Sequence, residues 1–339
     1  MLSGDYPNYP LAELHAHLGT SIEASVLWQI AHDLGVKLPK KEYREFRRFI
    51  TLSAEKPMAL NEYFEHIYHP ILDRLSSGTH AVEAGVYHTM SGAYRNGIEL
   101  IELRTNPMKH NLHAEVDLDH LIMAMLRGME RALLEHKGLA AGLIFCIARE
   151  WSPEQNAKII EKAIKYRGRG VVGIDIAGPA RDEFRFSDYK DLFEKARQAG
   201  LGITIHNGEV PDANDMIDAL ETLRPVRIGH GILSYQSQEV MERLVAENVV
   251  LEICPLSNLA TKAISSVDEM RLALRTLVDA GVRLTVNTDW PEVIEGGRLR
   301  YQYQWLREHQ ILTEDELKAA TTRAFEASFI PGKGIEAYL

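Results

Sequence analysis

Two neighbouring stretches carry the fold: Gly202-Ile203-Thr204-Ile205-His206-Asn207-Gly208-Glu209 and Val226-Arg227-Ile228-Gly229-His230-Gly231. Each opens as a short apolar run with β-branched residues and stops on a histidine, as a strand does on leaving a packed core. Between them, Asp212–Thr222 sets Met216, Ile217, Ala219 and Leu220 on one side at helical spacing. After them, Gln238–Glu247 repeats the pattern with Val240, Met241, Leu244 and Val245. Strand and helix alternate, which is how parallel strands are joined.

The same rhythm extends outward in both directions. Strands are expected at Leu11–His17, Ile98–Arg104, Leu139–Ala148, Val171–Ile176, Val249–Ile253 and Val282–Asn287. Together with Gly202–His206 and Val226–His230 they make the number that closes a (β/α)8 TIM barrel, so an α/β barrel in a single domain over 1–339 is expected. The stretch between the first two strands is too long for one crossover. A helical insertion is expected there, over about residues 20–95, with helix-like patterns at Leu27–Leu34 and Pro57–Leu75 around the charged segment Lys37–Arg48. An insertion after strand 1 sits on the C-terminal face of a barrel, where it forms a lid or a pocket wall.

Composition agrees with a folded enzyme-sized chain. The protein has 339 residues, 45% hydrophobic and 25% charged, which excludes disordered, collagenous and coiled-coil classes. Length alone suggests about two domains, but α/β barrels exceed that rule as one unit. A net charge of -10 has the wrong sign for extended nucleic-acid binding. Cys146 and Cys254, both in apolar runs, offer no disulfide framework and suit a reducing compartment. Met1 to Pro7 lacks the basic and apolar regions of a secretion signal, and the longest apolar run, Gly138 to Ala148, is too short to span a bilayer. A soluble, cytoplasmic protein with no membrane contact is expected; oligomeric state leaves no readable signal.

The chemistry concentrates at strand ends. In His15-Ala16-His17 residues i and i+2 share a face of a strand, so two imidazoles point together. Alone, the pair reads equally as surface or capping histidines. Three further strands end on polar residues: His206, His230 and Asp289. Barrel strand ends converge on one face, so His15, His17, His206 and Asp289 are expected to surround one metal ion, with donors suited to zinc or another divalent transition ion. His230 and Glu209 remain for acid-base work.

At these residues the sequence resembles the adenosine deaminase-like branch of the metal-dependent amidohydrolases, from about Leu11 to about Phe329. The matching segments are Glu13–Leu18, Gly173–Gly178, His206–Glu209, Arg227–Gly231, Glu252–Asn258 and Asn287–Asp289, in order and in register. The resemblance implies that His15, His17, His206 and Asp289 bind one Zn2+ with a water whose pKa falls towards roughly 7. It implies that His230 orients that water and takes its proton or stabilises its charge, with Asp289 sharing the task. Glu209 then protonates the ring nitrogen beside the carbon attacked, and Gly178 brings a backbone N–H to the ring edge. The implied function is hydrolytic deamination of an adenine-type or related amino-heterocycle, a small-molecule substrate, with release of ammonia. Strand 4 ends Asp175-Ile176-Ala177-Gly178 without the lysine that bridges two metals elsewhere in the superfamily, which implies a mononuclear site. Zinc hydrolysis of a cyclic amide C–N bond and a non-catalytic binding protein on the same barrel are the competing readings.

Two positions depart from adenosine deaminase proper. Gly19 stands where the family usually has an aspartate for the sugar 5′-hydroxyl, and Trp290 stands where it usually has an aspartate for purine N7. An indole accepts no strong hydrogen bond but stacks on heterocycles, so Gly19 and Trp290 are expected to border an altered substrate site. The competing reading of Trp290 is that it packs under the insertion. Asn207 replaces a family alanine and either reads a polar substrate group or bonds to backbone. Gly168–Gly173 has the spacing of a dinucleotide fingerprint but precedes a strand instead of following one, so no nucleotide cofactor is expected. His66, His69, His110, His113 and His120 lack strand-end placement and are not read as ligands.

Overall fold

A computed structural model of the chain describes residues 7–53, 58–112, 117–179, 183–210 and 213–332. Eight parallel strands run in the order β1 to β8: Leu11–His17, Ile98–Thr105, Ala140–Ala148, Val171–Ala177, Gly202–Asn207, Arg227–His230, Val250–Ile253 and Arg283–Val286. The barrel closes just beyond β8, where Ala16 bridges Asp289. There Asp289 N–H donates to the His15 carbonyl at 2.7 Å and His17 N–H to the Asp289 carbonyl at 3.1 Å. The fold is the expected (β/α)8 barrel.

Strand alternation sorts the side chains. Ile101, Leu103, Ile174, Ile176, Ile203, Ile205, Ile228, Leu251 and Ile253 join the apolar layer shared with the surrounding helices. The opposite face of the same strands points inward and carries Glu102, Arg104, Asp175, Thr204, Arg227 and Glu252, all fully buried. Most of their bonds cross the barrel between strands that are not neighbours, as Arg104 on β2 does with Glu252 on β7. Barrel interiors are usually filled by branched apolar side chains, so a charged interior needs internal pairing.

The helices start on short polar caps. Capping boxes open the helices Pro153–Lys165, with Ser152 and Gln155, and Glu314–Ala327, with Thr313 and Glu316. Ser237 and Ser266 cap Gln238–Ala246 and Val267–Asp279. No helix among the described residues is long and apolar enough to cross a membrane.

The described residues between β1 and β2 are mostly helical. Ala24–Asp33, Tyr43–Ile50 and Thr79–Arg95 are α-helices. The expected helix over Pro57–Leu75 differs in two ways: Pro57 lies outside the described residues, and only its ends, Leu60–Tyr63 and Asp73–Leu75, are α-helical. Phe64–Leu72 is a π-helix containing Pro70. Proline has no N–H to give the preceding turn, and the wider spacing accommodates it. The last strand ends at Val286 rather than Asn287, although the Asn287 N–H still donates to the Ile253 carbonyl at 2.8 Å and its side chain bonds the Leu14 N–H and Thr285. Other strand boundaries move by one residue.

Candidate metal and catalytic site

The C-terminal ends of β1 and β5 and the turn after β8 bring His15, His17, His206 and Asp289 together, with one ligand atom from each within 4.8 Å of all the others. His17 Nε2 lies 3.0 Å from His206 Nε2 and 3.3 Å from Asp289 Oδ1. Asp289 adopts φ 61° and His230 φ 63°, left-handed conformations that non-glycine residues rarely hold, and these aim their side chains at the common point. Gly229 makes room for the cluster: a Cβ there would meet His15 Cε1 at 2.8 Å.

Three of the four ligands are fixed from behind. His15 Nδ1 faces Glu252 Oε2 at 2.9 Å, and His206 Nδ1 faces Asp175 Oδ2 at 2.7 Å. Ser257 donates to Asp289 Oδ2 at 2.6 Å, leaving Oδ1 for the cluster. Carboxylates on the far imidazole nitrogens set the tautomer that leaves Nε2 free for a metal. Burial, reinforced by Arg104 and the other histidines, pushes His15 well below the ordinary histidine range, and burial followed by His206 does so for His17. Both rings are therefore neutral and ready to ligate. Burial raises Asp289 to about 6, against the pull of His230.

These residues fit a divalent cation on their own terms. His15 Nε2 is buried with no hydrogen-bond partner, and a buried polar atom without one is unfavourable. Three imidazoles and one carboxylate are the donor set of a zinc or similar transition-metal site.

The acid-base candidates flank the cluster. His230 Nε2 lies 3.6 Å from Glu209 Oε2, and the Asn258 amide is 3.1 Å from His230 Nδ1. Gly178 follows β4 directly at φ 88°, and a Cβ there would sit 2.7 Å from Glu150 Oε2. Glu150 in turn pairs with Lys109 at 2.7 Å.

The three remaining sequence candidates are arranged differently. The Asn207 amide donates to Asp215 Oδ2 at 2.8 Å, tying β5 to the helix Ala213–Leu223. Gly19 lies under Tyr68, whose hydroxyl would be 2.6 Å from a Cβ at that position. Trp290 is buried and stacks on Tyr63 at a centroid distance of 4.9 Å, with Phe64 edge-on at 5.9 Å. Both departures from the family pattern are thus covered by aromatic residues of the insertion. Sequence reasoning missed Ser257, Glu252 and Asp175 as partners of the ligands and Asn258 as the partner of His230, although all four stood in the quoted motifs. Of the other histidines, His69 pairs with Asp73, His110 is buried against the insertion, and His113 lies outside the described residues.

The family model described as adenosine deaminase matches residues 10–338. The chain belongs to the adenosine deaminase family. It is 29% identical over 320 residues to an adenosine deaminase of Clostridium kluyveri, an alignment covering 94% of this chain and 89% of the relative. An Arabidopsis N6-mAMP deaminase superposes with a TM-score of 0.79 at 25% identity, covering 95% of this chain and 93% of that one. An adenine deaminase from Arthrobacter aurescens shares the fold, with a TM-score of 0.80, 24% identity, and coverage of 95% and 94%. As a member of this metal-dependent family, the protein is a hydrolase acting on carbon–nitrogen bonds other than peptide bonds, and its reaction is the hydrolytic deamination of an adenine-type compound.

Proposed function

We propose that the protein is a zinc-dependent deaminase that replaces the exocyclic amino group of an adenine-type base by oxygen, acting as one catalytic domain over 1–339 in the cytoplasm. The observation that carries this reading is the convergence of three histidine nitrogens and Asp289 beside the His230–Glu209 pair. His15, His17, His206 and Asp289 would hold the ion. When bound, zinc supplies the Lewis acidity that makes water nucleophilic near neutral pH.

The remaining steps belong to side chains. With the Asn258 amide donating to Nδ1, the hydrogen of His230 sits on Nε2, so His230 steadies the charge developing on the attacking oxygen. Asp289, held by Ser257, accepts the first water proton and passes it to the departing amino group, which leaves as ammonia. Glu209 gives its proton to the ring nitrogen beside the reacting carbon, where it stays in the oxo product. The second water proton restores Glu209, and atoms balance. Gly178 offers its N–H at the ring edge. Gly19, Asn207 and Trp290 act on specificity through what they place around the pocket: Gly19 admits Tyr68, Trp290 seats Tyr63, and Asn207 holds Asp215.

No carboxylate at residue 19 waits for a sugar hydroxyl, so adenine-type substrates altered at the sugar or at N6 are favoured over plain adenosine. The test is ammonia release by zinc-loaded protein across adenosine, adenine, N6-substituted and sugar-modified adenines, amino-pterins and guanine, with Glu209→Gln as the blank. A product panel showing ring opening without ammonia would overturn the reading.

A further inference from the structure

Behind the metal ligands, the charged interior forms one continuous chain that ends at the other mouth of the barrel. Glu252, which holds His15, also contacts Arg104 and receives Thr204 at 3.0 Å. The oxygen that accepts from Thr204 also pairs with Arg227 Nε at 2.7 Å. Arg227 pairs in turn with Glu102 and donates to the Ala327 carbonyl at 2.7 Å. Glu102 accepts from Ser328 Oγ at 2.7 Å and from the Phe329 N–H. The guanidinium of Arg227 lies over the Phe329 ring, 3.6 Å from its centroid.

The strands leave a berth for this ring. Phe329 fills the place a side chain on Gly202 would take, and a Cβ on Gly173 would sit 2.8 Å from it. Ile330 likewise lies 3.2 Å from a Cβ built on Gly142. Three interior positions thus lack side chains where residues after the last helix enter from below.

Charge counting shows why this matters for the ion. Glu102, Asp175 and Glu252 carry three negative charges against two on Arg104 and Arg227, and all five side chains are fully buried. Counting Asp289 as well, these six side chains bring four carboxylates against two guanidiniums. A buried charge is tolerated only when its partners are held in place.

We propose that Ser328 and Phe329 are positioning residues for the metal site: by locking Glu102 and Arg227 they hold Glu252, and Glu252 holds His15 in its metal-binding tautomer and orientation. This rests on the metal-site reading above. Loss of the ring frees Arg227, which is shared between Glu102 and Glu252, and the slack reaches His15 across the barrel.

The experiment measures zinc affinity by chelator competition for the wild type, Phe329→Ala, Ser328→Ala and Ile330→Ala, with urea unfolding of the metal-free proteins alongside. Phe329→Ala is expected to weaken zinc about tenfold, the lower end of the range for residues that orient ligands. Ser328→Ala should weaken it less and in the same direction, and it keeps the test open if Phe329→Ala does not fold. Phe329→Tyr should restore affinity. Ile330→Ala, in the same segment but off the chain of charges, should lower stability without moving zinc affinity. Wild-type affinity in both Phe329→Ala and Ser328→Ala would overturn the proposal, as would an equal loss in Ile330→Ala. A wild-type chain that binds no divalent ion would instead overturn the metal-site reading on which the proposal stands.

Discussion

The two sides of the site are built differently. On the metal side, His15 and His206 each have a carboxylate behind them and Asp289 has Ser257, with every partner drawn from another strand or from the helix Pro255–Ala260 after β7. On the insertion side, the nearest atoms over Gly19 belong to Tyr68, and the aromatic neighbours of Trp290 are Tyr63 and Phe64, all from one irregular segment. The first arrangement is cross-braced by the barrel and tolerates little change. The second depends on a single segment packed over the barrel mouth. On the proposed reading, reaction chemistry belongs to the barrel and choice of substrate to the insertion.

Breaking the metal side should give the largest effects. His17→Ala should abolish both deamination and stoichiometric zinc binding, measured by metal analysis of purified protein. Glu209→Gln should lower kcat by about 10² to 10⁴ while metal content stays at the wild-type level. If zinc were lost as well, Glu209 would be a ligand and the division of roles would be wrong. Ser257→Ala, which removes only a brace, should weaken zinc about 10- to 100-fold, read by chelator competition.

The insertion side should respond more gently. Burial lowers His110 from 6.5 to about 4, opposed by a hydrogen bond to the Ser76 backbone. The His110 carbonyl also accepts the Gly78 N–H at 3.0 Å, so this loop clamps the end of the insertion. In the folded protein the ring stays neutral, whereas the unfolded chain takes up a proton below about 6.5. Stability should therefore fall as pH drops from about 6.5, with the full loss of up to about 3 kcal/mol present below about 4. Urea titrations of wild type and His110→Gln between pH 7 and 4.5 should show a flatter dependence in the variant. The smallest effect is expected from Tyr68→Phe, which should shift relative kcat/KM among adenine-type substrates by about 10-fold or less, with zinc affinity unchanged. A collapse of kcat on every substrate would place Tyr68 in the chemistry instead.

What could be read in advance follows the same division. His15, His17, His206 and Asp289 announce themselves because each is polar at the end of an apolar run, a signal confined to a few adjacent residues. Arg104, Asp175, Arg227 and Glu252 gave no such signal. A charge inside an apolar strand makes sense only once its partner is known, and Arg104 meets Glu252 148 positions away. The strands themselves were legible because alternation and β-branching are local, and their ends shifted by no more than one residue. The cover over Gly19 was illegible for another reason: Pro70 widens the helix into a π turn, so ordinary helical spacing gives the wrong face for Tyr68.

The charged interior also bears on how the chain reaches its native state. A half-barrel ending after β4 would contain Arg104 and Asp175 but neither Glu252 nor Arg227, and Glu102 would lack the Ser328 and Phe329 groups that bind it. Such an intermediate can keep its inner face only by leaving it hydrated. Closure of the ring and expulsion of that water are then a single late event, so the halves should not fold as independent fragments even though apolar layers wrap both of them.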